Sequence, residues 1–282
     1  MNKSFRIILL AAPIFFCSVL SAQPRVPAYC VFAGDTVRFN TTERYERMDR
    51  ELLAFTYTHQ TSILMLKRSE RYFAMVTPIL KSNGIPEDLK YLMVIESNLD
   101  PRAVSSSGAA GLWQFTKGTA QNYSLEVNSN VDERYNIEKE TEAACKYFRK
   151  AYERYGNWMT VAASYNAGLA GISSRLESQG QENALELWMT VETTRYMYRL
   201  MAAKMMFENP AAFGFDVPER YPLFRERKRI QVSGSNVDLV ALASEYGLSY
   251  AELRRANMWL LGTKLTNSAG KTYELIIPLS GQ

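Results

Sequence analysis

The chain has 282 residues, 47% of them hydrophobic and 22% charged, with a formal charge of +4. That is enough for one sizeable domain and a small one. The mild positive charge suits an anionic polymer, but no basic run is long enough to argue for nucleic acid. The single histidine, His59, excludes a multi-histidine metal site, and nothing else in the sequence calls for a metal or an organic cofactor.

Lys3 and Arg6 precede an apolar run from Ile7 to Leu20, and Ser21-Ala22 offers a small-residue cut, so residues 1–22 read as a secretory signal. The run is short of the roughly 20 residues a membrane span needs. The expectation is a soluble exported protein of the periplasm or cell envelope. Beyond the signal lie Cys30 and Cys145, which an oxidising compartment would allow to pair. Residues 23–84 read as a helical lead-in: Glu43 to Tyr57, Ser62 to Leu66 and Arg71 to Leu80 carry helical spacing, with a kink expected at Pro78.

Gly84 then stops one helix. Pro86, Glu87 and Asp88 open another, with acid where the helix dipole favours it. Leu89, Leu92, Met93 and Glu96 fall on one stripe, so a glutamate shares the face that leucine and methionine turn to a core. Burial and the C-terminal end of the dipole both disfavour the anion there and raise its pKa, which is the property of a general acid. A frayed end that turns Glu96 to water and a buried glutamate satisfied by local donors are the bland alternatives.

Asn98 to Pro101 break this helix. Ser105 to Gly111 then has no bulky side chain, so a large ligand can approach its backbone. Leu112-Trp113-Gln114-Phe115 adds aromatic faces and an amide, which suit a sugar ring, although core packing explains either aromatic alone. Further on, Asn136 caps a helix from Ile137 to Tyr155 that Gly156 stops, and its acids Glu138, Glu140 and Glu142 read as a solvated face. Asn157 caps another helix to Asn166, whose last turn places Tyr165 and Asn166 where polar groups reach a cleft. Helices are expected over 181–189 and 194–208, and residues 210–228 read as a linker rich in turn residues.

Taken in order, Glu96-Ser97, Pro101, Ser105, Gly108-Ala109, Gly111-Leu112-Trp113-Gln114-Phe115 and Tyr165-Asn166-Ala167-Gly168 resemble the successive motifs of the lytic transglycosylases with a goose-type lysozyme-like catalytic domain. The likeness spans about residues 85–209 and is greatest to the membrane-bound transglycosylase D type, which joins this domain to LysM modules. It implies Glu96 as the catalytic residue, Tyr165 orienting or tuning it, Asn166 helping to hold the site, and Ser105 and Gln114 contacting substrate. Glu192-Thr193-Thr194-Arg195-Tyr196 resembles the family's last motif, which makes Tyr196 a further candidate for the cleft.

From about Arg229 the character changes. A strand-like run to Val232, helices near 237–246 and 250–257 and a strand near 273–277 give a βααβ order that resembles a LysM module, a binder of N-acetylglucosamine-containing glycans. Ser233-Gly234-Ser235-Asn236 departs from that family's usual turn, so residues 229–278 read as a degenerate copy.

The expected architecture is therefore mainly α: a lysozyme-like helical domain followed by a small α+β module. Glycoside hydrolysis ordinarily needs two carboxylates, and the only acid close in sequence to Glu96 is Asp100. One suffices if the substrate's own C6 hydroxyl attacks C1. Glu96 would then first protonate the glycosidic oxygen and afterwards accept the C6 hydroxyl proton. By resemblance the bond is the β-1,4 link between N-acetylmuramic acid and N-acetylglucosamine in peptidoglycan, the product a 1,6-anhydromuramic end, and the partner the glycan strand. A muramidase on the same fold, a non-catalytic wall-binding scaffold and a thiol protease using Cys145 with His59 are the rivals.

Overall fold

The computed structural model describes residues 23–279, and the proposed signal over 1–22 lies outside them. The described chain is mainly α. It opens on a hairpin the helical lead-in reading does not contain, β1 (Tyr29–Phe32) and β2 (Asp35–Arg38), antiparallel and joined through Ala33 and Gly34 at φ 51° and 92°. Positive φ at both central residues is the two-residue turn whose twist matches paired strands.

Helix α1 (Thr42–Tyr57) starts where the Thr41 side chain accepts from the Arg44 amide, and α2 (His59–Ser82) runs without interruption through Pro78. A 3₁₀ turn over Glu87–Lys90 leads into α3 (Tyr91–Ser97). After the small-residue loop come α4 (Lys117–Asn122), α5 (Ile137–Tyr155), α6 (Trp158–Ala167), α7 (Leu169–Gln179) and α8 (Val191–Glu208). Helix α8 packs against α1, α3 and α6, and α5 packs against α2 and α6. One apolar core runs from Cys30 to Val217, so the lead-in and the later helices share an interior.

One helix expectation shifts. The stretch 181–189 holds only a 3₁₀ turn, Ala184–Glu186, because the Asn183 side chain accepts from the Leu185 amide and closes a tight turn. The helix lies earlier, as α7, since Gly168 at φ 79° turns the chain between α6 and α7 without ending helical structure there. Cys30 and Cys145 are both buried and unbonded. No helix among the described residues is long and apolar enough to cross a membrane.

The C-terminal part has its own apolar cluster. Strand β3 (Glu226–Val232) pairs antiparallel with β6 (Tyr273–Pro278), and β4 (Asn236–Asp238) with β5 (Lys264–Thr266). Between them lie α9 (Leu239–Glu245), capped by Asp238, and α10 (Tyr250–Ala256), which Ser249 and Glu252 start with a reciprocal capping box. The β4–β5 pair is an addition to the expected βααβ order.

Candidate active site

Helix α3 buries Leu92, Met93, Val94 and Ile95 and leaves Glu96 half-buried on its last turn. It ends abruptly, because Asn98 and Leu99 both take the left-handed conformation, at φ 52° and 56°. That geometry is disfavoured for a leucine, and full burial of Leu99 helps hold it. Arg68 of α2 pins the turn, donating to the Asn98 carbonyl at 3.1 Å and pairing with Asp100 at 3.3 Å. Asp100 is thus engaged with Arg68.

The Tyr196 hydroxyl, presented by α8, donates to Glu96 Oε1 at 2.5 Å. Burial pushes the Glu96 carboxyl up to about 7, against the lowering effects of the Tyr196 hydrogen bond and the Arg199 charge; the nearby charge of Glu192 raises it further. Burial also holds the Tyr196 phenol well above its ordinary value, so it stays protonated and able to donate. The site therefore offers a carboxyl that holds its proton to higher pH than an ordinary glutamate, beside a tyrosine that stays protonated.

Beyond it, the small-residue loop is fastened by its own side chains, by the neighbouring Gln114 and by Arg134. The Ser105 hydroxyl accepts from the Ala109 amide at 3.0 Å and lies 2.9 Å from the Ser107 hydroxyl. Gln114, itself at φ 52°, donates through Nε2 to the Ala103 and Gly111 carbonyls. Both side chains hold the loop's shape. Trp113 and Phe115 are buried core rings, and the Trp113 indole donates to Thr141. The Tyr165 hydroxyl donates to the Trp113 carbonyl at 2.7 Å, so its hydrogen bond goes to the loop, and it is Tyr196 that reaches Glu96. Asn166 is half-buried, and its side chain has no hydrogen-bond partner among the described residues.

Two anchors escape the sequence reading. Glu140 is fully buried, and its two oxygens accept from the Leu112 and Trp113 amides at 3.2 Å each, which corrects its place on a solvated face. Burial raises its carboxyl well above the ordinary range, the two amide bonds opposing. Arg134, also buried, donates from Nη1 to the carbonyls of Gly108 at 2.7 Å and Phe115 at 3.1 Å. Helical spacing separates Glu140 from Glu138 and Glu142 only as one face from another, so the available signal was its position beside Thr141 and Ala144 on the inward side.

The fold and site define a class: a helical domain in which a carboxyl held above its ordinary range accepts from a tyrosine at a helix end, with a small-residue loop tied down by Glu140 and Arg134, followed by an α+β module. Residues 77–187 match the Transglycosylase SLT domain family, and residues 228–281 match the soluble lytic transglycosylase C-terminal LysM-like domain. The chain thus holds a stretch similar to an SLT domain, followed by one similar to that LysM-like domain. It is homologous to membrane-bound lytic murein transglycosylase D of Escherichia coli K12, with 25% identity over 253 residues, covering 87% of this chain and 54% of that protein. The protein of the same name in E. coli O6:H1 matches to the same extent, so this chain spans about half the length of these curated relatives. Among solved structures, the 70 kDa soluble lytic transglycosylase of E. coli overlays with a TM-score of 0.42 at 19% identity, covering 63% of this chain and 33% of that one. An inactive mutant of lytic transglycosylase Slt of Pseudomonas aeruginosa overlays with a TM-score of 0.41 at 19% identity, covering 53% and 26%.

Proposed function

We propose that this protein is a peptidoglycan lytic transglycosylase of the cell envelope, with residues 85–209 as its catalytic unit and Glu96 as the only acid–base group. The observation that carries the reading is the Glu96 carboxyl, raised to about 7 beside a protonated tyrosine. A carboxyl with that pKa is populated in both states near neutrality, as a residue that gives a proton and then takes one back requires. In the first step it protonates the glycosidic oxygen between N-acetylmuramic acid and N-acetylglucosamine. The positive charge left at C1 is met by the C6 hydroxyl of the same ring, whose proton passes to the Glu96 carboxylate, and a 1,6-anhydro ring closes without water. The SLT domain match and the homology to a murein transglycosylase support the substrate class.

Ser105 and Gln114 then act by keeping the loop in shape, and the unpartnered Asn166 amide is available to substrate. Mass spectrometry of the fragments released from purified peptidoglycan tests the reading. Anhydromuramic ends are the expected product; reducing ends, one water heavier, would make the enzyme a hydrolase and direct attention to Glu192, whose charge reaches Glu96.

Tyr196→Phe removes a hydrogen bond that lowers the Glu96 pKa, so the alkaline limb of kcat/KM moves to higher pH. Because the acid must be protonated to act, activity falls as pH rises through about 7 in the wild type and persists further in the variant. A pH profile with an unmoved alkaline limb would remove Tyr196 from this role.

A further inference from the structure

We propose that the C-terminal module, beyond any role in binding the wall, is a brace for the substrate loop, and that Arg134 is the positioning residue through which it acts. The inference rests on the proposed activity for its kinetic readout and on geometry for the rest.

The contact is made of backbone as well as side chains. Val131 forms an antiparallel bridge with Leu260, the Asp132 amide donates to the Trp259 carbonyl at 2.8 Å, and the Leu261 amide donates to the Asn130 carbonyl at 2.8 Å. Val131, 1% exposed, is a member of the module's own apolar cluster although it belongs to the preceding domain. Ion pairs flank this seam: Lys271 to Glu126 at 2.9 Å and Arg229 to Glu138 at 2.6 Å, with the Tyr273 hydroxyl on Glu126. The linker is fastened as well, the Tyr221 amide donating to the Lys67 carbonyl and Arg71 to the Pro222 carbonyl, both at 2.8 Å. A module held only to tether the enzyme to a wall would cross to its neighbour with few contacts.

The seam runs through Asp132, two residues before Arg134. The Asp132 carboxylate grips the Arg134 guanidinium through both oxygens, at 2.9 and 2.7 Å, and the same guanidinium holds the carbonyl of Gly108, in the middle of the small-residue loop, and that of Phe115, just beyond it. Asp132 is 5% and Arg134 9% exposed. A charge-assisted pair in that setting is strong and directional. Trp259, Asp132, Arg134 and Gly108 thus form one continuous run of hydrogen bonds from module to loop. Shifting the module moves Asp132, and with it the donor that fixes the loop. Misplacement by about 1 Å in such a support costs about a hundredfold in rate.

The test uses the full chain and short, soluble, uncross-linked glycan strands, on which tethering to a wall gives no advantage. Val131→Asp places a carboxylate in the module's apolar cluster, and Arg134→Lys keeps the charge but loses the fork. Both are expected to lower kcat about ten- to hundredfold, with KM much less changed, and to speed amide hydrogen exchange at residues 108–115 while α5 and α8 keep their protection. If Val131→Asp fails to fold, Val131→Ala is expected to shift both readouts the same way by less. The proposal is overturned if Val131→Asp loosens the Asp132 and Leu261 amides yet leaves loop exchange and soluble-strand turnover at wild-type levels. Absence of turnover by the wild type on every glycan would sink the proposed activity instead, and the loop exchange would still decide the brace.

Discussion

Glu96→Gln is expected to lower the rate of anhydromuramic end formation by about 10²–10⁴-fold, the range that general acid–base catalysis contributes, and to leave glycan binding largely in place. The amide keeps the shape of the side chain and accepts the Tyr196 hydrogen bond, but it neither donates a catalytic proton nor takes one back. Stability provides an independent check. The Glu96 pKa rises from 4.5 to about 7 on folding, so the folded state holds its proton more tightly than the unfolded chain. Wild-type stability is therefore undiminished by this group below about 4.5, falls as pH rises towards 7, and above that is lower by about 3 kcal/mol. The glutamine variant escapes that cost. Denaturant unfolding at pH 4 and pH 8 is expected to find the two proteins nearly level at the lower pH and the variant more stable at the higher. A variant that keeps cutting, or that gains nothing at pH 8, would remove Glu96 from the centre of the mechanism.

Gly111→Ala is expected to cost about 3–5 kcal/mol, combining a disfavoured backbone with overpacking. Gly111 sits at φ 85°, and a Cβ built there meets the Arg134 carbonyl oxygen at 1.9 Å and Glu140 Oε2 at 2.4 Å. Neither neighbour yields readily: one is backbone, and the other is a buried carboxylate already shared between two amides. Gly108→Ala is the control, since Gly108 has φ 78° but nothing within 4 Å of its Cβ. It should cost only the backbone part, about 1–2 kcal/mol. Urea unfolding of the pair isolates the close contact from the dihedral. Equal losses would mean that Arg134 and Glu140 do not clamp this loop.

Much of the site was legible because it is local. Glu96 at the end of an apolar stripe, the break after Asn98 and the run of small residues from Ser105 to Gly111 each follow from side-chain size and helical spacing over a few residues. Cap residues were readable for the same reason: Asn136 and Asn157 start α5 and α6 through their own side chains. The β1–β2 hairpin also had a local signal in two β-rich runs separated by Ala33-Gly34, which a helical reading of the whole lead-in passed over. The stretch 181–189 misled because Ala184 and Leu187 are buried at helix-like spacing in a segment whose Trp188 is 82% exposed. Packing chose those positions, and the Asn183 turn chose the backbone.

Roles that depend on two distant elements were beyond reach. Tyr165 and Tyr196 are both tyrosines on helices of the same core. Only the meeting of α8 with α3 puts the Tyr196 hydroxyl on Glu96, and only the approach of α6 to the loop gives Tyr165 the Trp113 carbonyl. Glu140 looks from the sequence like one of three surface acids until the loop supplies two amides for it to accept. The sequence by itself determined the mainly helical class, and it singled out Glu96 at a helix end and the run of small residues after it, because these rest on the chemistry of neighbours along the chain. The tertiary structure alone decided which groups hold the acid and the loop, and how the C-terminal module abuts them, because burial and hydrogen-bond partners are set where separate elements meet.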